Sequence, residues 1–196
     1  MVKMEASSNG PDREHRLNEI YLTIISRYKE YIEEKEGVSV AELPTLVTPN
    51  NEKVAEKVEE IKASFLNYTY DENFYEASLI AYEFVKSGVE DVVLPLQFWL
   101  TPDETLAFMM GDVMDKNILL CSLLVKLGNP SARVFVKMEE STRCVFVYYE
   151  YKSSFYMLDN GEVREFKDKD SLLGTLDFRE ETIAYEFNNQ MYADLY

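Results

Sequence analysis

Residues 99–130 read WLTPDETLAFMMGDVMDKNILLCSLLVKLGNP, and this stretch decides the fold because it contains two helices with clear boundaries. Thr101 supplies a capping hydroxyl, Pro102 suits the first helical position, and Glu104 can bond back to the cap. A short helix is therefore predicted to start at this point and to end before Gly111.

The second helix of the stretch is predicted over 113–127, where the sequence Gly128-Asn129-Pro130 ends it. Its apolar residues cover most of the helix circumference rather than a single stripe. They are Val113, Met114, Ile118, Leu119, Leu120, Leu123, Leu124, Val125 and Leu127. A helix of this kind is enclosed by other elements, so we interpret it as the core helix of the domain.

Beyond Pro130 the apolar residues change from helical spacing to alternation, and aromatic residues become frequent. The segments suited to strands are 132–138, 144–151, 155–158, 163–166 and 182–187. Asn160-Gly161 lies between two of these segments and indicates a hairpin turn. Helices followed by a series of strands predict an α+β fold in which an antiparallel sheet packs on the core helix.

The N-terminal half of the chain is predicted to be helical. Residues 1–12 suit a flexible tail, and from Leu17 apolar residues recur along one stripe of a long amphipathic helix that stops near Gly37. Helical spacing returns over 54–65 and 74–85. We therefore predict a helical region over 13–88, followed by the core over 89–196, with both parts forming one compact unit.

The composition excludes several classes of function. The 196 residues carry a formal net charge of −16, which opposes binding to the phosphate backbone of nucleic acids. The acidic side chains are interpreted as a solvated surface. The alternative is that they form a docking face for a basic partner. No run of apolar residues is long enough for a membrane span or a secretory signal, so a cytoplasmic protein is expected.

Few side chains are available for covalent or metal chemistry. The two cysteines, Cys121 and Cys144, are too few for a disulfide framework or a cysteine-rich zinc site, and Cys121 is expected to be buried and inert. His15 is the one histidine of the sequence and precedes the first helix. Asp112 and Asp115 are better explained as caps of a helix start than as metal ligands, so neither a metal nor a cofactor is predicted.

Residues 99–159 resemble the core of the transglutaminase-like family, whose fold is that of papain-type cysteine proteases, in its archaeal and bacterial versions. In that family a tryptophan and a proline-capped helix precede a Gly-Asp-Cys motif. A leucine-rich helix follows, and two successive strands then bring a histidine and an aspartate. The matching positions here are Val113 for the cysteine, Cys144 for the histidine and Asp159 for the aspartate. The chain would thus be a degenerate member of the family.

The resemblance implies that the chain has lost the family's chemistry. A cysteine at a helix N-terminus reacts because the helix dipole and an imidazole lower the pKa of its thiol. Val113 offers neither a nucleophile nor a proton, so acyl transfer cannot occur at this position. The resemblance implies that the former active-site cleft brings together the three vestigial positions Val113, Cys144 and Asp159. Cys144 is expected to lie next to Asp159 in this cleft. The further candidate lining residues of the cleft are Trp99, Asp112, Asp115 and Arg143.

Three functions remain open at this point. The first is a catalytically inactive pseudoenzyme that acts as a binding or scaffolding module for an unknown protein, peptide or small-molecule ligand. The second is a hydrolase or thiol-dependent enzyme with relocated chemistry around Cys144 and Asp159. The third is a structural subunit whose aromatic surface forms a homo-oligomer.

Overall fold

The computed structural model describes residues 11–36, 42–93, 98–139, 142–159, 161–179 and 181–195. The chain divides into two units. Of the described residues, the first unit contains 11–36 and Phe98, and the second contains 42–93 and everything from Trp99 onward. The boundary thus differs from the predicted one at residue 88, because the helices that precede this residue pack against the core helix.

The first unit consists mainly of one helix, α1 (Pro11–Glu36), which confirms the predicted long amphipathic helix. The predicted stop at Gly37 and residues 1–10 of the predicted tail lie outside the described residues. Several large apolar side chains of this helix are exposed, among them Tyr21, Tyr28 and Tyr31. No described helix combines the length and the apolar character that a membrane span requires.

The second unit contains the remaining helices and strands. Its helices are α2 (Leu43–Leu46), α3 (Glu52–Lys62), α4 (Tyr70–Glu83), α5 (Pro102–Phe108), α6 (Val113–Lys126) and α7 (Lys169–Leu173), and a π-helical turn covers Phe84–Gly88. Its strands are β1 (Glu90–Asp91), β2 (Met110–Gly111), β3 (Arg133–Glu139), β4 (Thr142–Tyr151), β5 (Ser154–Leu158), β6 (Val163–Phe166), β7 (Ile183–Phe187) and β8 (Tyr192–Asp194). This arrangement confirms the predicted α+β class.

Helix α6 is the core helix, as predicted. Ten of its 14 residues are buried, since α3, α4 and α5 pack around it together with strands β3 and β4. The preceding helix α5 begins at Pro102 with the predicted capping box between Thr101 and Glu104. It ends at Met109, whose left-handed backbone (φ 51°) turns the chain into β2.

The main sheet has six antiparallel strands in the order β6-β5-β4-β3-β7-β8. All five predicted strands are present. Strand β8 and the short helix α7 were not predicted, since three and five residues are too few for a clear period. Gly161 lies at the turn between β5 and β6, whereas Asn160 of the predicted turn falls outside the described residues.

The two faces of the sheet bury different clusters. Because side chains alternate along a strand, Val145, Val147 and Tyr149 of β4 face α6 and belong to the larger cluster. Phe146 and Tyr148 point to the opposite face, where they pack with Leu172 of α7.

A buried carboxylate ties α7 to the second face of the sheet. Glu186 of β7 is 2% exposed, and its carboxylate lies 2.7 Å from the ammonium of Lys169 and 3.0 Å from the guanidinium of Arg133. The hydroxyl of Tyr148 also donates to it. A buried charge requires such partners, so these contacts fix the position of α7.

Phe74 of α4 is the centre of an aromatic cluster between the helices and the sheet. It is fully buried, and its ring centroid lies 5.1 Å from that of Tyr149 and 5.3 Å from that of Tyr151. The hydroxyl of Tyr149 is hydrogen-bonded to that of Ser78, one turn further along α4. These contacts hold α4 against β4, and α4 contributes Tyr82 to the pocket described below.

We expect Phe74→Ala to lower the free energy of unfolding by about 3–5 kcal/mol, because the substitution leaves a cavity among packed rings. Chemical denaturation of both proteins measures the change. Phe108→Ala is the matched control, since Phe108 is 62% exposed and its loss should change stability by less than about 0.5 kcal/mol. Equal losses for the two variants would show that the α4–sheet contact does not stabilise the fold.

Candidate functional site

The N-terminus of α6 is built by two aspartates that cap each other. The carboxylate of Asp112 accepts hydrogen bonds from the backbone N–H groups of Met114 (2.7 Å) and Asp115 (2.9 Å). In return, the carboxylate of Asp115 accepts from the backbone N–H of Asp112 at 2.9 Å. These bonds satisfy amides that a helix start leaves without partners, which confirms the predicted capping role of both residues.

Asp115 also holds the segment that precedes α5. Its second carboxylate oxygen accepts a hydrogen bond from the backbone N–H of Leu100 at 2.8 Å. The side chain is fully buried, and this burial raises the pKa of Asp115 to about 7, although the backbone hydrogen bonds from Asp112 and Leu100 act in the opposite direction. Gly111 is needed beside it, because a Cβ at this position would lie 2.9 Å from the Cβ of Asp115.

A small pocket lies at this end of α6. Val113, Lys116 and Asn117 line it from the first turns of the helix, and Leu120 and Leu158 lie among its apolar lining. Asp159 lines the same pocket, so the structure brings together two of the three positions that the sequence singled out. The volume of about 40 Å³ is enough for a few water molecules or one small side chain.

Three of the four charged residues that line the pocket take part in ion pairs, and the fourth, Lys86, lies over the ring of Tyr82. The ammonium of Lys116, whose side chain is 8% exposed, donates to the carboxylate of Asp91 at 2.9 Å and to the carbonyl of Val89 at 3.0 Å. Lys116 therefore anchors the short parallel pair β1–β2 to the first turn of α6.

The other wall of the pocket is formed by Asp159 and Tyr82. The hydroxyl of Tyr82 donates to the backbone carbonyl of Asp159, whose carboxylate lies 3.8 Å from the guanidinium of Arg164. The pKa of Tyr82 is raised, mainly by burial and further by the acidic neighbours Asp159, Glu83 and Glu162. The pocket thus has an apolar floor, and its charged lining consists of two lysines, Lys86 and Lys116, and two aspartates, Asp91 and Asp159.

Cys144 does not line this pocket, contrary to the expectation that it faces the cleft. It packs against the cluster on the second face of the sheet, together with Phe146 and Tyr148. The β4 side chains on the α6 face are Val145 and Val147, which are 4% and 0% exposed. Cys144 lies on the opposite face from the expected one because side chains alternate along a strand. A shift of one residue along β4 moves a side chain from one face of the sheet to the other.

The remaining candidate residues lie outside the lining of this pocket. Trp99 packs against the larger core cluster, Arg143 is exposed on β4, and Asp112 and Asp115 serve as caps. Cys121 is fully buried, and burial raises the pKa of its thiol to about 12, in agreement with an inert core cysteine. His15 is exposed on α1, 3.5 Å from Glu19.

Sequence reasoning missed Tyr82, Lys86 and Asp91, which also line the pocket. These residues lie on α4, the π-helical turn and β1, more than twenty residues before Val113, and none belongs to a motif. Among the described residues, no group of three or more histidine, cysteine, aspartate or glutamate side chains is arranged to hold a metal ion.

We expect the carboxyl group of Asp115 to titrate near pH 7, observed by NMR of the side-chain carboxyl carbon. A raised pKa in the folded state means that protonated Asp115 stabilises the fold below about pH 4, and that this contribution is lost as the pH rises through 7.

Asp168 is the internal control for this titration, because its carboxylate also accepts hydrogen bonds at a helix start but is only half-buried. Its carboxylate accepts from the backbone N–H and the hydroxyl of Ser171, and its pKa is lowered. A titration of Asp115 in the same acidic range as Asp168 would show that burial does not dominate at the start of α6.

No protein family model matches the sequence, and no curated protein matches it. Solved structures of LapG from Legionella pneumophila are similar to the chain. The EGTA-treated form shares 16% identity at a TM-score of 0.49, over 81% of this chain and 87% of that one. The calcium-bound form shares 18% identity at a TM-score of 0.42, over 70% and 86%, and a further LapG structure shares 17% at 0.44, over 79% and 87%. At these TM-scores the likeness assigns neither a family nor an activity to the chain.

Proposed function

We propose that this chain is a non-catalytic binding module that holds one aliphatic side chain of a protein partner in the pocket beside Val113. One observation carries the proposal. The N-terminus of α6 is capped and presented to a pocket, yet the residue that faces this pocket from the first helical position is a valine. A valine can contact a partner but cannot attack one.

The size of the pocket supports a side chain rather than a small molecule as the occupant. Pockets for small-molecule ligands usually have volumes of about 300–1,000 Å³, whereas this one has about 40 Å³. A branched aliphatic group could enter with modest movement of Val113, which is 37% exposed. Val85, Leu120 and Leu158 would then form the floor around it.

The surroundings of the pocket support a docking protein segment. Phe108, Met109 and Met110 shortly precede the α6 cap and are all exposed, and Met110 of β2 pairs with Glu90, the neighbour of the pocket residue Asp91. Methionine and aromatic side chains are frequent in contact surfaces because they adapt to a partner.

Charge further restricts the partner. Glu83, Asp159 and Glu162 all lie close enough to Tyr82 to raise its pKa. Lys86 lies over the Tyr82 ring and Arg164 pairs with Asp159, so the excess of acidic groups at this wall is small. The chain as a whole is nevertheless strongly acidic, with a net charge of −16. A partner segment with a basic residue next to its aliphatic anchor is therefore favoured over an acidic one.

The alternative of relocated thiol chemistry is less well supported. It requires a reactive cysteine at the site, but Cys144 packs on the second face of the sheet and Cys121 is buried with a raised pKa. Neither thiol lies among the residues that line the pocket.

The proposal is tested by methyl NMR of the full chain, titrated with N-acetyl-Leu-Lys-amide. We expect the methyl signals of Val113, Leu120 and Leu158 to shift, and N-acetyl-Leu-Glu-amide to bind more weakly. Val113→Asp should weaken binding of both peptides at least tenfold, because a charge at the apolar entrance opposes entry of the leucine side chain more than it attracts the exposed lysine. The fold should persist, since an acidic residue suits the first turn of a helix.

Val93→Asp is the matched control, because Val93 is an exposed valine outside the pocket lining and should leave binding unchanged. Unchanged methyl signals, or equal affinity of both variants for the peptide, would refute the proposed binding site.

A further inference from the structure

A second pocket of about 390 Å³ lies on the other side of α6, away from Val113. Five consecutive residues, 47–51, form it together with Asn189, which follows β7. Its polar members are Thr48, Asn50, Asn51 and Asn189, and none of the lining residues is charged. The pocket is a shallow depression that opens widely to solvent, and its volume falls in the range typical of small-molecule sites.

Two oxygen atoms at this pocket have no hydrogen-bond partner within the described protein. They are the hydroxyl oxygen of Thr48 and the amide oxygen of Asn189, both buried from solvent. Among the described residues, two further buried side-chain atoms have no hydrogen-bond partner. Both are guanidinium nitrogens of arginines. Buried polar groups are nearly always hydrogen-bonded, so two unpartnered oxygens at one pocket need an explanation.

The backbone around the two oxygens is held in place. The backbone N–H of Thr48 donates to the hydroxyl of Ser122 on α6 at 3.1 Å, and Asn51 caps α3 by accepting from the backbone N–H of Lys53 at 2.9 Å. Next to Asn189, the amide of Asn188 donates to the carbonyls of Pro130 and Ala132, both at 3.1 Å. The pocket is therefore rigid, while rotation of Thr48 or Asn189 towards its interior breaks no hydrogen bond.

We propose that this pocket binds a small uncharged ligand through hydrogen bonds to the side chains of Thr48 and Asn189. An amide oxygen only accepts, so the ligand must offer an N–H or O–H donor to Asn189. The amide nitrogen of Asn51 remains a donor, since its oxygen is used in the cap, so the ligand also needs an acceptor. The lining residues carry no charge, and the ammonium of Lys126, which donates to the amide oxygen of Asn50 at 3.5 Å, disfavours a cationic ligand.

Carboxamides and polyols share this combination of donors and acceptors, and two probes distinguish them. The full chain is titrated separately with acetamide and with glucose, while NMR follows the side-chain amide signals of Asn51 and Asn189. We expect one probe to shift these signals: acetamide if the site recognises an amide, glucose if it recognises a polyol. No shift with either probe at 100 mM would overturn the proposal.

Two variants locate the binding. Thr48→Val and Asn189→Leu keep the shape of the side chains and remove the unpartnered oxygens, so each should weaken binding of the active probe at least fivefold. Equal affinity of wild type and both variants would also overturn the proposal.

Thermal unfolding separates a loss of ligand contacts from a loss of fold. Thr48→Val should leave the melting temperature unchanged or raise it, because the replaced hydroxyl makes no hydrogen bond in the free protein. The control is Thr105→Val, which should lower the melting temperature, since the buried hydroxyl of Thr105 donates to the carbonyl of Thr101. A lower melting temperature for Thr48→Val would show that its hydroxyl has a partner in the free protein and would contradict its role in binding.

Discussion

The arrangement of the site depends on the buried carboxylate of Asp115. One of its oxygens accepts from the backbone of Asp112 and the other from the backbone of Leu100, so a single side chain joins the start of α6 to the segment that leads into α5. Burial without these bonds would be unfavourable for a carboxylate. Because Asp115 fixes the first turn of α6, it also fixes the direction in which Val113 faces the pocket.

Two of the pockets formed by the described residues differ in their chemistry. The one beside Val113 is small, with an apolar floor and a lining that carries two lysines and two aspartates. The other is larger, uncharged and lined by amides and a hydroxyl. Both use α6 as a rigid support, through Val113 at its first turn and through Ser122 further along. The same buried helix thus supports two pockets with different linings.

Much of the fold could be predicted from the sequence, because its signals are local. The two helices of 99–130 are marked by caps and a glycine, and the five strands by alternation. The position of Cys144 could not be predicted, because a shift of one residue in the alignment moves a strand residue to the opposite face. Tyr82 and Asp91 were missed because only the packing of distant segments brings them to Val113.

The central claim is that the helix start beside the pocket performs no covalent chemistry. The most direct test is to incubate the purified full chain with amine donors, glutaminyl peptides and peptide substrates, and to measure transamidation and hydrolysis. The account predicts turnover no higher than in buffer, with or without substitution of the two cysteines. Turnover that is abolished by Cys144→Ala would contradict it.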